Sequence, residues 1–145
     1  MNQSESISKL ATALSIVQGK LTYATKDSAN PFFKSKYADL ESVWDSCRNL
    51  LSDNGLAVMQ FPGDFIDGTM SLTTILTHSS GEWISQQMSV PATKPDAQGA
   101  GSCISYMRRY ALAAVVGVVQ ADDDGNAAAL SSKPAVKPVV KSIEI

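Results

Sequence analysis

The stretch from Asp96 to Asn126 reads DAQGAGSCISYMRRYALAAVVGVVQADDDGN, and the rest of the chain is organised around it. It opens on a helix-capping aspartate and two glycines, runs into a helical pattern with adjacent arginines, and ends in three consecutive aspartates. Ile104, Met107, Ala111, Ala114, Val115 and Val118 recur at helical spacing and predict one stripe facing a core. At about 100° per residue, Ser102, Ser105, Tyr106 and Arg109 project from the opposite side. Arg108 borders the stripe, where its stem can pack while the guanidinium reaches outward. Ala113 and Val116 make even the far face apolar near the end, so that end is expected to be buried all round.

The start of this helix suits an anion. Gln98-Gly99-Ala100-Gly101-Ser102 lies where backbone N–H groups lack helical partners and the helix dipole favours negative charge. It is not a P-loop, because no Lys-Ser/Thr pair follows the glycines at the required spacing. Two readings therefore stand side by side: a tight entry into a helix, and a phosphate seat.

Upstream, Ile7, Leu10, Leu14 and Val17 predict a first helix over residues 4–19, capped by Ser4 or Ser6 and stopped by Gly19. A connector follows. Its Asn30-Pro31 turns the chain away from helix before Phe32 and Phe33. Lys34-Ser35-Lys36-Tyr37 sets two cations beside aromatics, the composition with which single-stranded nucleic acid is held and stacked. The alternative is two core phenylalanines and two solvated lysines. Tyr37, Leu40, Trp44, Cys47 and Leu51 repeat at 3, 4, 3 and 4 residues, a second helix over residues 35–52 with Trp44 as a core anchor. Asp53-Asn54-Gly55 is its stop.

From Leu56 the period changes to two. LAVMQF, MSLTTILT and EWISQQMSV read as three strands separated by GDFIDG and HSSG turns. On the third, Ile84, Met88 and Val90 share one face, and Trp83, Ser85, Gln87 and Ser89 the other. Pro91 to Pro95 leads to the main helix, with Asp96 as its N-cap. The order helix, helix, three strands, helix predicts an α+β domain with an antiparallel three-stranded sheet and helices packed on one face. The expected domain is 1–126. Beyond it, residues 127–145 carry Lys-Pro spacing without periodicity and read as a flexible tail.

The chain has 145 residues and a net charge of −2, enough length for one core and no general basic footprint. Any affinity for nucleic acid must come from local clusters such as Lys34/Lys36 and Arg108/Arg109. The longest apolar run, Ala111 to Val119, is too short to span a bilayer, and no secretory pattern opens the chain. Cys47 and Cys103 sit in apolar helical patterns, as buried free thiols of a reducing compartment do. A cytoplasmic protein is expected.

QGAGSCISYMRRYALAAVVGV followed by DDDGN resembles the signature of the Erf (essential recombination function) family of phage single-strand annealing proteins. NPFFKSKYADLESV and SSGEW are similar to further family segments in the family's order, so the resemblance runs from Ile7 to Asn126. It implies a β-β-β-α core that assembles into rings or helical filaments. It also implies ATP-independent binding and annealing of single-stranded DNA in phage-type recombination, within the cytoplasm of a bacterial host. The partners to expect are single-stranded DNA, further copies of the chain, and a phage exonuclease or host ssDNA-binding protein. The candidate DNA-binding residues are Lys34, Lys36, Tyr37, Gly99, Gly101, Ser102, Tyr106, Arg108 and Arg109, with Arg109 expected on the DNA side and Arg108 partly structural.

Catalysis finds little support. Asp122-Asp123-Asp124 fails the EF-hand test, since Ala127 and Lys133 occupy positions six and twelve. Mg²⁺ held through water is conceivable there, but no ligand set argues for it and no cofactor is expected. With one histidine, in a turn, no nucleophile–base–acid set forms. Two alternatives to an annealing protein are a structural oligomeric phage protein and a small nucleotide- or phosphate-binding enzyme using the Gly99–Gly101 turn.

Overall fold

The computed structural model describes residues 1–24, 28–29 and 36–119, with 28–29 and 36–37 described by backbone alone. Its elements are β1 (Asn2–Gln3), α1 (Ser8–Lys20), β2 (Ser28–Ala29), β3 (Lys36–Tyr37), α2 (Leu40–Asp53), β4 (Leu56–Pro62), β5 (Thr69–His78), β6 (Trp83–Pro91) and α3 (Ala97–Val116). The main sheet is antiparallel with strand order β1-β6-β5-β4, and β2 and β3 form a separate two-stranded ribbon. The α+β class and the three-strand meander are as expected. The fourth strand is not. Two residues carry no period, so β1 exists only because β6 offers it an edge, where Ser4 N–H donates to Trp83 O (2.9 Å).

The core forms between one sheet face and the helices. Along β5 the alternate residues Met70, Leu72, Thr74 and Leu76 are all buried. Leu76 joins Leu10 and Val17 of α1, Val43, Cys47 and Leu51 of α2, and Leu112 and Val116 of α3 in one cluster. Met70 and Leu72 form a second cluster with Cys103 and Met107 of α3. Each fully buried Leu, Val or Met contributes roughly 1.5–3 kcal/mol. Thr74 is the buried polar residue among them, and Gln60 Nε2 donates to its Oγ1 (3.1 Å).

Both early helices start later than their sequence pattern. For α1, Ser4 is spent on the β6 edge, bonding Trp83 from both backbone and side chain. The helix starts at Ser8 with no side-chain cap from Ile7 at its N-cap position. Glu82, seventy-odd residues away in the β5–β6 turn, does the work: its Oε1 accepts from the N–H of Lys9 and of Leu10 (2.9 Å each). A carboxylate there meets both the orphan amides and the helix dipole. For α2, Tyr37 belongs to β3 rather than to the helix stripe. Asp39 is the cap, accepting from Ser42 N–H (2.8 Å). Trp44 packs half-buried at the margin of the core rather than in its centre.

Cys47 and Cys103 are both buried free thiols, as their positions predicted. Burial pushes the Cys47 thiol from its ordinary 9.0 up to about 11, partly offset by its backbone hydrogen bond. Unfolded, this thiol ionises near its ordinary value, so between about pH 9 and 11 the unfolded state binds fewer protons and the folded state loses stability. Chemical denaturation at pH 8 and pH 10.5 should therefore show a fall in stability that Cys47→Ala, measured against its own pH 8 value, largely removes.

Candidate nucleic-acid interface

Charge decides which side of the domain can meet a polyanion. Strands β4, β5 and β6 contain no Lys, Arg, Asp or Glu. Their open face, where Met59 and Phe61 are exposed, offers phosphate no cationic partner. The adjacent cations Arg108 and Arg109 lie on α3, across the core from that face.

The first turn of α3 is closed by its own cap. Asp96 Oδ1 accepts from Gly99 N–H (2.8 Å), and Asp96 O accepts from Ala100 N–H (3.0 Å). The carboxylate thus sits where a phosphate bound by the Gly99 amide would have to sit. This corrects the phosphate-seat reading of the Gly99–Ser102 amides: those of Gly99 and Ala100 are engaged, and a second anion beside Asp96 is repelled. Gly99 is buried for a packing reason, because a Cβ there would stand 1.9 Å from Lys94 O. Gly101 is exposed, with nothing near its missing Cβ. Ser102 is exposed too, its hydroxyl donating back to Gln98 O (3.0 Å).

Further along, α3 carries an aromatic and cationic face. Tyr106 and Tyr110 are exposed by 47% and 40%, with ring centroids 4.5 Å apart and planes tilted by 45°. The Arg109 guanidinium carbon lies 4.8 Å from the centre of the Tyr110 ring, a cation–π contact. Tyr110 escaped the sequence reading, although its i, i+4 spacing from Tyr106 was the available signal.

Arg109 departs from the environment expected of it, while Arg108 keeps its place at the flank of the apolar stripe. Arg108 is exposed and Arg109 half-buried. The buried residues of α3 are Gly99, Cys103, Met107, Leu112, Ala113 and Val116, and Ala114 of the expected stripe is exposed. Leu112, Ala113 and Val116 follow Arg109 by three, four and seven positions, the spacing of one helix face. The buried side of α3 therefore shifts along its length. Cys103 and Met107 rest on Met70 and Leu72 of the sheet, while Leu112, Ala113 and Val116 join the cluster with α1 and α2. Arg109 stands at the foot of that second face. Arg108 borders Ile104 and Leu112, as its flank position predicted, and opens onto a groove of about 610 Å³ between α2, β4 and α3.

At its far end α3 stops in a Schellman turn. Gly117 has φ 89°, and the N–H groups of Gly117 and Val118 both reach Ala113 O (2.9 Å each). Gln18 of α1 closes over it, donating to Val116 O (3.0 Å). This end is structural. Lys34 and Asp122–Asp124 lie outside the described residues, and Lys36 and Tyr37 enter only through the backbone of β3. Among the described residues no group of three His, Cys, Asp or Glu is placed to hold a metal, and no helix is long and apolar enough to cross a membrane.

What these elements define is an antiparallel α+β domain with a tyrosine–arginine helix face above an uncharged sheet. The chain belongs to the ERF superfamily, whose family model matches residues 10–142 and so takes in β4 to β6, α2, α3 and most of α1. Members of this family are phage proteins of single-strand annealing in recombination, which establishes the family to which the Asp96–Asn126 segment pointed. No curated protein and no solved structure gives a significant match to the chain.

Proposed function

We propose that this protein binds single-stranded DNA along the outer side of α3 and anneals complementary strands without ATP or any other cofactor. The observation that carries the reading is the juxtaposition of Tyr106, Tyr110 and Arg109, with Arg108 one residue further round, in a chain of the ERF superfamily. Tyrosine faces stack bases without regard to sequence, and guanidinium groups pair with phosphate through a forked set of donors. Pairing and stacking of the two strands supply the free energy of annealing; the protein offsets phosphate repulsion and holds the strand open.

A single chain of net charge −2 presents few cations, so the reading includes assembly into a ring or filament that repeats the α3 track. The edge of β4, unpaired among the described residues, supports it. Gly63 N–H bonds Ser71 O and Ser79 N–H bonds Gly55 O, so the odd-numbered residues of β4 pair inward. The N–H groups of Leu56, Val58 and Gln60 consequently point away from β5 on an edge strand without one charged residue to guard it. The setting is the cytoplasm of a bacterial host, with a phage exonuclease or a host ssDNA-binding protein as the natural partners.

Fluorescence anisotropy with labelled single strands at several salt concentrations tests the binding. Affinity should fall with salt by a slope of about −0.7 for each phosphate neutralised. Replacing Arg108 and Arg109 together by alanine should flatten the slope by roughly 1.4 per subunit engaged. An affinity indifferent to salt would defeat the electrostatic part of this reading.

A further inference from the structure

The groove between α2, β4 and α3 combines an aromatic, a cationic and several apolar side chains. Trp44 forms one wall and Arg108 stands on the other, above a floor that includes Val58 and Ile104, while Glu41 and Gln60 supply polar groups. Gln60 bridges three elements from within it. Its Nε2 donates both to Thr74 Oγ1 of β5 and to Arg108 O of α3 (3.1 Å each), which ties the arginine's backbone to the sheet and leaves the amide oxygen as an acceptor.

We propose that this groove is a base pocket, in which an unpaired nucleobase of the bound strand stacks against Trp44 beneath the Arg108 guanidinium. The inference rests on the reading of the protein as a single-strand binder and assigns where a base, rather than a phosphate, goes. Three observations favour a base over another occupant. The groove encloses about 610 Å³ and has Val58, Ile104 and Leu112 in its lining, which suits a ring face and not a phosphate. Indole and guanidinium are the two protein groups that stack best on bases, and here they belong to opposite walls. The groove also borders the outer side of α3: Arg108 rims it about 100° round the helix from Arg109, with Tyr106 and Tyr110 on the far flank. A strand whose phosphates cross α3 between Arg109 and Arg108 can turn a base over this rim toward Trp44. Stacking makes the pocket tolerant of sequence, and a base so held is out of reach of a complementary strand until it swings out.

The chain has two tryptophans, and only Trp44 lines the groove, Trp83 lying at the start of β6. Trp83→Phe therefore leaves a protein whose tryptophan emission reports from the groove, and Trp44→Phe leaves one that reports from the sheet. With an unlabelled oligothymidylate as the probe, Trp83→Phe should show saturable quenching whose midpoint matches anisotropy of the same strand with an end label. Trp44→Phe should show little quenching while it still binds. Trp44→Leu, which keeps an apolar side chain against the core, should weaken binding by roughly five- to one-hundred-fold. Anisotropy that rises while Trp44 emission stays constant overturns the base pocket and leaves single-strand binding standing. Anisotropy that does not change overturns both. Trp44 emission that shifts with protein concentration in the absence of DNA, alongside growth in mass, assigns the groove to a contact between copies and overturns the proposal.

Discussion

Replacing Tyr106 and Tyr110 together with alanine is expected to reduce affinity for single-stranded DNA at least thirty-fold while moving the melting temperature little. The two rings are exposed by 47% and 40%, and neither belongs to the two core clusters. Removing them therefore costs little folding free energy, and alanine's helix propensity returns some of it. Binding is another matter. Base–aromatic stacking is worth roughly 1–3 kcal/mol per base, so two lost platforms amount to about 2 kcal/mol or more. Part of the loss acts through Arg109, whose guanidinium rests 4.8 Å from the centre of the Tyr110 ring and is partly oriented by it. The salt slope should change much less than the affinity, because stacking releases no counterions. That split separates this variant from the double arginine variant, which flattens the slope. A double tyrosine variant that binds like the parent would falsify the placement of bases on α3.

Gly99→Ala is expected to lower stability by roughly 3 kcal/mol, near 10 °C in melting temperature for a domain of this size. The added Cβ would stand 1.9 Å from Lys94 O and 2.8 Å from Lys94 C. Both are backbone atoms, which cannot swing aside as a side chain does. The first turn of α3 would have to lift from the connector, straining the Asp96 cap at Gly99 N–H and shifting Cys103 and Met107 over the sheet. Gly101→Ala is the matched control. Nothing lies near its Cβ position and the residue is exposed on the helix, so the same change should stabilise by up to about 1 kcal/mol. Thermal melts of the two variants in one buffer check the pair, and equal melting temperatures would refute the packing account of Gly99. Single-strand binding by Gly101→Ala then reports whether bound DNA approaches the α3 backbone there, since its folding is not impaired.

Periodicity and turn chemistry were enough to predict the α+β class, the three long strands, α3 with its Asp96 cap, and the stop of α2 at Asn54 and Gly55. These features are local. An alternating strand, a capping aspartate or a glycine at positive φ carries its reason within a few residues. The motif around Tyr106, Arg108 and Arg109 was legible for the same reason, as was the family.

What only the tertiary structure decided involves groups far apart in the chain. β1 exists because β6 has an unpaired edge. The start of α1 is set by Glu82, a cap that no local pattern announces because it arrives from a turn between two strands. The environment of Arg109 was misread because the sequence shows one apolar stripe on α3, whereas the helix is covered by the sheet over its first half and joins α1 and α2 over its second. A helix that changes partners along its length changes its buried side, and a residue at the changeover, Arg109, moves from the solvent face to the margin of the core. The groove at Trp44 belongs to the same category. Its walls come from α2, β4 and α3, and the Gln60 bridge that joins Thr74 to the Arg108 backbone forms only once the sheet register and the helix docking have brought the three together.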